Sequence, residues 1–239
     1  MITPSAPVLR AESLVHRHAP SGVLEGVSLV IPPGVFTLLS GAPASGAGLL
    51  LRVLGLLEAP DSGEVWLDAT AAFAMEEAAR LDLRNRRFGF LFAEPFLLDS
   101  FTVAENVAMP LFKIAGVDIE QARARTGEVL HFAGIGSIAD DGVTDLDPLD
   151  RHKVSLARAL AVAPRVLIAE DACLQLPPRD AGELAALLRS VPPLLGISVI
   201  ATSPASGEAL AVDREVRLER GVIVADSHPF PLHEAPTHD

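Results

Sequence analysis

The stretch Ser40-Gly41-Ala42-Pro43-Ala44-Ser45-Gly46-Ala47-Gly48 joins an apolar β-type run, Val35-Phe36-Thr37-Leu38-Leu39, to a leucine-rich helical run. The order strand, glycine loop, helix constrains everything packed around it. Glycines at such a joint accept positive φ and let backbone N–H groups approach an anion, and the helix N-terminus adds a favourable dipole. The full phosphate-binding motif, G-x-x-x-x-G-K-[ST], also needs an ammonium for the β/γ-phosphates and a hydroxyl for Mg²⁺. Here Ala47 stands at the lysine position and Gly48 at the Ser/Thr position. Two readings follow. One is an anion cradle with no side-chain cation in the loop, Arg52 lying off the motif position; the other is a glycine-rich turn that only connects strand to helix. From the loop alone, glycine spacing being a weak signal, the turn is favoured.

Short β-rich runs alternate with longer helical ones, the pattern of α/β architecture. Two strands are expected within 9–29 around a loop at 16–22, followed by a helix over 49–57 and a strand over 64–68. Residues 95–139 carry mostly helical periodicity and read as a helical insertion. The core resumes with a helix over 153–162, a buried strand over 166–169, a helix over 179–190, a strand over 198–201 and a hairpin through Glu219-Arg220-Gly221. The basic run Arg84-Asn85-Arg86-Arg87 reads as a solvated loop or turn, and His152 and Lys153 as part of a solvated helix face. After Asp226 the composition shifts to His and Pro; His228, His233 and His238 match no tight metal spacing, and a flexible tail is expected.

With 239 residues, 49% of them apolar, the chain is long enough for a sizeable core. Nineteen Lys plus Arg against 31 Asp plus Glu give a net charge of −12, which argues against a nucleic-acid partner. The lone Cys173 excludes an intrachain disulfide and fits a reducing compartment. The N-terminal residues lack a signal-peptide pattern and no apolar run is long enough to span a bilayer, so a cytoplasmic protein is expected.

Three framework stretches stand out: Gly55-Leu56-Leu57-Glu58-Ala59-Pro60-Asp61-Ser62-Gly63-Glu64-Val65, Phe88-Gly89-Phe90-Leu91-Phe92, and Thr102-Val103-Ala104-Glu105-Asn106-Val107-Ala108-Met109-Pro110-Leu111. Together they resemble the nucleotide-binding subunit of ABC transporters, most closely the lipoprotein-releasing, macrolide-export and cell-division type. Ser155-Leu156-Ala157-Arg158-Ala159-Leu160 and Pro164-Arg165-Val166-Leu167-Ile168-Ala169 follow in the same register, so the likeness runs over about 8–224. It implies an α/β P-loop NTPase (ABC ATPase) core over 8–94 and 151–225 with an antiparallel β portion, an inserted helical subdomain over 95–150 and a tail over 226–239.

The same register implies a role for each functional position. The loop positions are Gly41, Ser45, Gly46, Ala47 and Gly48, the glutamine position is Ala93, and the signature falls on Leu146-Asp147-Pro148-Leu149-Asp150. The acidic pair is inverted to Glu170-Asp171, the switch histidine is Ser203, and His18 is the candidate base-stacking position. Inversion displaces each carboxylate, and catalysis tolerates little misplacement. Glu170, Asp171 and Ser203 are therefore expected as remnants rather than catalytic residues, with no metal site and no cofactor. The implied partner surface lies near Ala93, Glu94, Pro95, Phe96 and Phe101, although the phenylalanines equally suit packing between subdomains.

The expectation is a catalytically silent scaffold or regulator, peripheral on the cytoplasmic face of the membrane. It would bind an FtsX-like or lipoprotein-exporter-like transmembrane subunit and form a homodimer or a heterodimer with another ABC ATPase-like subunit. Its first alternative is an ATP-hydrolysing subunit, using ATP and Mg²⁺, that energises a transporter of the lipoprotein-releasing type. Its second alternative is a soluble adaptor.

Overall fold

Two sheets enclose one helix in the computed structural model, which describes residues 6–19, 22–203 and 212–230. Strands β1 (Leu9–Ala19), β2 (Gly22–Ile31), β4 (Ser62–Leu67) and β5 (Thr70–Ala71) form an antiparallel sheet in the order β2-β1-β4-β5. A second sheet has β3 (Phe36–Ser40), β6 (Phe88–Phe92), β7 (Val166–Glu170), β8 (Ser198–Thr202), β9 (Arg214–Glu219) and β10 (Val222–Asp226). Its order is β10-β9-β3-β8-β7-β6, parallel throughout except for the β9/β10 hairpin.

Every residue of β3 and β8 is buried, because helices or a second sheet cover both faces of the parallel strands. Alternation then sorts the side chains. Phe36, Leu38, Leu167 and Ala169 belong to one core with α3 (Val103–Pro110), α4 (Ile119–Phe132), α5 (Pro148–Ala161) and α6 (Pro178–Leu195). Leu39, Val166 and Ile168 belong to the other, with α1 (Ala47–Leu54) and the antiparallel sheet. Helix α1 is therefore clasped from both sides, and its N-terminus is held at the end of β3. The chain after α3 departs from α-helical pairing: Pro110, which has no N–H, leads into a single π turn over Leu111–Ala115, closed by Gly116 at φ 64°.

Several boundaries differ from the sequence expectations. Strand β1 runs on through Ala19 and β2 begins at Gly22, so most of the loop expected at 16–22 is strand. Arg84, Arg86 and Arg87 are not in a loop but in the last turn of α2 (Glu77–Arg87), where cations suit the helix dipole. No residue of α2 is buried, so no apolar period announces it. Helix α5 starts at Pro148 rather than 153, and His152 and Lys153 are not on a solvated face. His152 is 3% exposed, its ring nitrogens 2.7 Å from the Pro148 carbonyl and 3.0 Å from that of Ala93. Lys153 bonds to Glu183 at 2.6 Å and approaches Asp150 at 3.6 Å. Asp226, where the composition shifts, is still the last residue of β10, and 231–239 lie outside the described residues.

Candidate functional site

Backbone contacts and one side chain, Ser45, whose Oγ accepts from the Ala47 N–H at 3.3 Å, give the glycine loop its shape. The Ser45 N–H bonds to the Ala42 carbonyl at 2.9 Å, and Gly46, at φ 99°, opens α1 in a conformation that disfavours a side chain. A Cβ on Gly41 would lie 2.3 Å from Ser45 Oγ and 2.6 Å from the Leu218 carbonyl. The turn between β9 and β10 braces the loop from behind: the Gly221 N–H donates to the Ser45 carbonyl at 2.8 Å, and the Gly221 carbonyl accepts from Glu25 N–H at 2.9 Å. The cradle is thus pre-formed.

The loop faces the ends of β7 and β8 across a depression of about 290 Å³. Gly41, Ser45, Gly46, Ala47, Gly48, Glu170, Asp171 and Ser203 all line it, so eight positions scattered over the sequence meet at one place. Asp171, at φ 49°, is fixed by its N–H bond to Thr202 Oγ1 at 3.2 Å. Burial pushes the Glu170 carboxyl above its ordinary range; the Arg52 guanidinium opposes this and Asp171 adds to it. Arg52 Nη1 lies 3.8 Å from Glu170 and its Nε 3.3 Å from Glu58, which also meets His16 Nε2 at 3.1 Å. Neither Arg52 nor His16 belongs to the motif register, and only the arrangement in space marks them.

Divalent metal does not fit this wall. Gly48 brings no side-chain oxygen, Ala93 does not line the cavity, and Glu170 has a guanidinium 3.8 Å away, so Asp171 and the hydroxyls of Ser45, Thr202 and Ser203 are the side-chain oxygens left to face an ion. Among the described residues no group of three or more His, Cys, Asp or Glu is arranged to hold a metal ion. Nor does the segment 146–150 line the cavity. Asp147 caps α5, accepting from the Asp150 N–H at 2.8 Å, so a carboxylate of the chain itself occupies the anion-favouring end of that helix. Burial, then the nearby Asp147, push Asp150 upward, against the pull of Lys153. The side chain of His18 lies outside the described residues.

Of the expected partner-surface residues Phe96 alone lines a separate groove of about 230 Å³, together with Phe92, Met109, Ile114 and Arg158 among others; Ala93, Glu94, Pro95 and Phe101 lie outside its lining. Arg158 donates to the carbonyls of Pro95 and Phe96, both at 2.7 Å, while Ala93 is tied to His152. Pro95 is buried, Glu94 and Phe101 are exposed, and Phe96 is 64% exposed with its ring edge-on to Phe92 at 6.0 Å.

A central parallel strand that enters a glycine loop and then a clasped helix, facing an acidic strand end two strands away, defines a P-loop nucleotide-binding fold. Residues 24–173 match the family described as ABC transporter, and the chain belongs to that family. It is 36% identical over 201 residues, 84% of this chain and 89% of the other, to the lipoprotein-releasing system ATP-binding protein LolD of Myxococcus xanthus. It is 33% identical to the LolD protein of Bordetella pertussis, over 93% of this chain and 97% of the other. Among solved structures, cbiO1 from Clostridium perfringens superposes with a TM-score of 0.83 at 21% identity, covering 93% and 88% of the two chains. The ATP-binding cassette MJ0796, in a dimeric post-hydrolysis state with ADP and Pi, gives 0.78 at 24% identity, covering 91% and 97%. These two likenesses show the fold.

The relatives correct the main functional expectation. Chains 31–36% identical over 84–93% of this one are named ATP-binding proteins of lipoprotein-releasing systems, which overturns the silent scaffold and favours its first alternative. The silent reading rested on side-chain replacements at the loop, glutamine, signature, acidic-pair and switch-histidine positions, and gave little weight to a loop whose main-chain shape the fold builds without a lysine or a Ser/Thr at 47 and 48.

Proposed function

We propose that this chain is the ATP-binding subunit of an ABC transporter of the lipoprotein-releasing type, energising the work of a transmembrane partner from the cytoplasmic face of the membrane. The observation that supports it most is the convergence of the loop, Glu170-Asp171 and Ser203 on one cavity, in a chain whose relatives are named for that role. The phosphates of ATP would lie over the start of α1, whose first N–H groups have no intrahelical acceptor and whose dipole favours an anion. Asp171 is the carboxylate we assign to take a proton from attacking water, and the Ser203 hydroxyl faces the same space from the end of β8. No step is assigned to a metal, since the ligand set does not fit one.

The partners we propose are a second ATPase-like chain, a copy of this one or a relative, and a transmembrane subunit seated in the Phe96 groove. Among the described residues no helix is long and apolar enough to cross a membrane.

Calorimetric titration with ATP, alone and with the membrane partner, tests the reading. Saturable binding is expected, together with a turnover that Asp171→Asn lowers by about 10²-fold or more, the range for loss of a general base. Failure to bind at millimolar ATP in both settings would remove the proposal.

A further inference from the structure

Six of the eight residues of α1 are buried, and the two that are not, Gly48 and Arg52, lie one turn apart on the same face. This single open stripe runs to the loop cavity, which Gly48 and Glu170 both line. Helical side chains lean toward the N-terminus of their helix, a direction that leads from Arg52 toward Gly48; in the structure Arg52 lies just outside the cavity lining, its Nε 3.3 Å from Glu58. Nothing lies within 4 Å of the place a Cβ on Gly48 would take, and the path is clear. The Arg52 side chain is 44% exposed; Glu58 holds its Nε, and on the cavity side its Nη1 has the looser partner Glu170 at 3.8 Å.

We propose that Arg52 is the phosphate-neutralising group of this cavity, standing in for both a loop ammonium and a divalent cation, so that polyphosphate binds through the guanidinium without Mg²⁺. This rests on the nucleotide-binding reading above. A guanidinium carries five N–H donors in a planar fork, enough to keep one edge on Glu170 while the other takes two phosphate oxygens. Seated beside Glu170, it also opposes entry of a metal ion to the carboxylate that would otherwise attract one.

The test is calorimetric titration of inorganic tripolyphosphate and of ATP into the full chain, each in EDTA and in excess Mg²⁺, for wild type, Arg52→Gln and Arg52→Lys. Thermal unfolding checks that the variants fold. Wild type is expected to bind both ligands at least as tightly in EDTA as in Mg²⁺. Arg52→Gln is expected to weaken both by about tenfold or more, the size of a lost charge-assisted bond, and Arg52→Lys to recover part of the loss. Binding that requires Mg²⁺, or that Arg52→Gln leaves unchanged, overturns the inference while leaving the nucleotide-binding reading intact. Arg52-dependent binding of tripolyphosphate without binding of ATP upholds the inference and sinks the nucleotide reading. Binding of neither sinks both.

Discussion

Arg214 is the most deeply buried charge among the described residues, 2% exposed, and the chain matches it completely. Its Nε donates to one oxygen of Asp226 at 2.9 Å, its Nη2 to the other, its Nη1 to the Val30 carbonyl, and the Phe230 ring lies 5.2 Å from its guanidinium carbon. One side chain therefore ties the β9/β10 hairpin, which braces the glycine loop, to β2. Burial pushes the Asp226 carboxyl upward, but hydrogen bonds and charge from Arg214, helped by His228, outweigh it and hold the group below its ordinary range. A depressed folded-state pKa contributes stability above the unfolded value that is lost as pH falls through the folded one. Asp226→Asn should therefore cost about 3–5 kcal/mol near neutral pH, because it leaves a buried guanidinium without its counter-charge. It should also flatten the loss of stability that wild type shows on acidification below the ordinary Asp range. Urea denaturation from pH 7 down to pH 3 measures both effects. The burial of Arg214 was legible in one respect: β9 alternates, and Arg214 shares the inward face with Val216 and Leu218. Its partner was not legible, because Asp226 sits where a shift toward His and Pro had suggested a tail.

At the scale of the element, the loop and α1 act as one device. Its outline was readable because an all-buried β3, fixed glycines and a leucine-rich helix each leave a strong local pattern. Which residues face the cavity was not readable, since that depends on which side of α1 each core covers. The same limit hid the start of α5: Asp147 and Pro148, at the signature position of the resemblance, also form the N-cap and first turn of the helix, which was expected to begin at 153. Helix α2 was missed for the opposite reason, having no buried stripe at all. The double change Ala47→Lys, Gly48→Thr separates the backbone of the device from its side chains. If the cradle is already shaped for phosphate, the added ammonium should raise ATP affinity by about tenfold or more. The added hydroxyl should make binding Mg²⁺-dependent. Titration of the double variant in EDTA and in Mg²⁺ reads both changes, and an unchanged affinity would mean that the loop geometry is wrong for phosphate.

For the whole molecule, the central fact is a single rung of the parallel sheet. Phe92 at the end of β6 pairs in register with Glu170 at the end of β7. Phe92 lines the outer groove and Glu170 lines the loop cavity, so the two depressions hang from adjacent strand ends. Helix α5 closes the connection through His152 to Ala93 and through Arg158 to the carbonyls of Pro95 and Phe96. Phe96, held at φ 48°, presents a ring that is 64% exposed at the edge of the groove. If a helix of the transmembrane partner covers it, Phe96→Asp should abolish co-purification from detergent-solubilised membranes while leaving ATP affinity within about twofold, since the groove and cavity share no lining residue. Arg158→Ala should act in the same direction by releasing the carbonyls that fix the loop. Glu170→Gln should do the reverse, changing nucleotide binding and sparing assembly. Loss of ATP binding in Phe96→Asp would instead mean that the groove and cavity are energetically one site, with the rung between β6 and β7 transmitting the change.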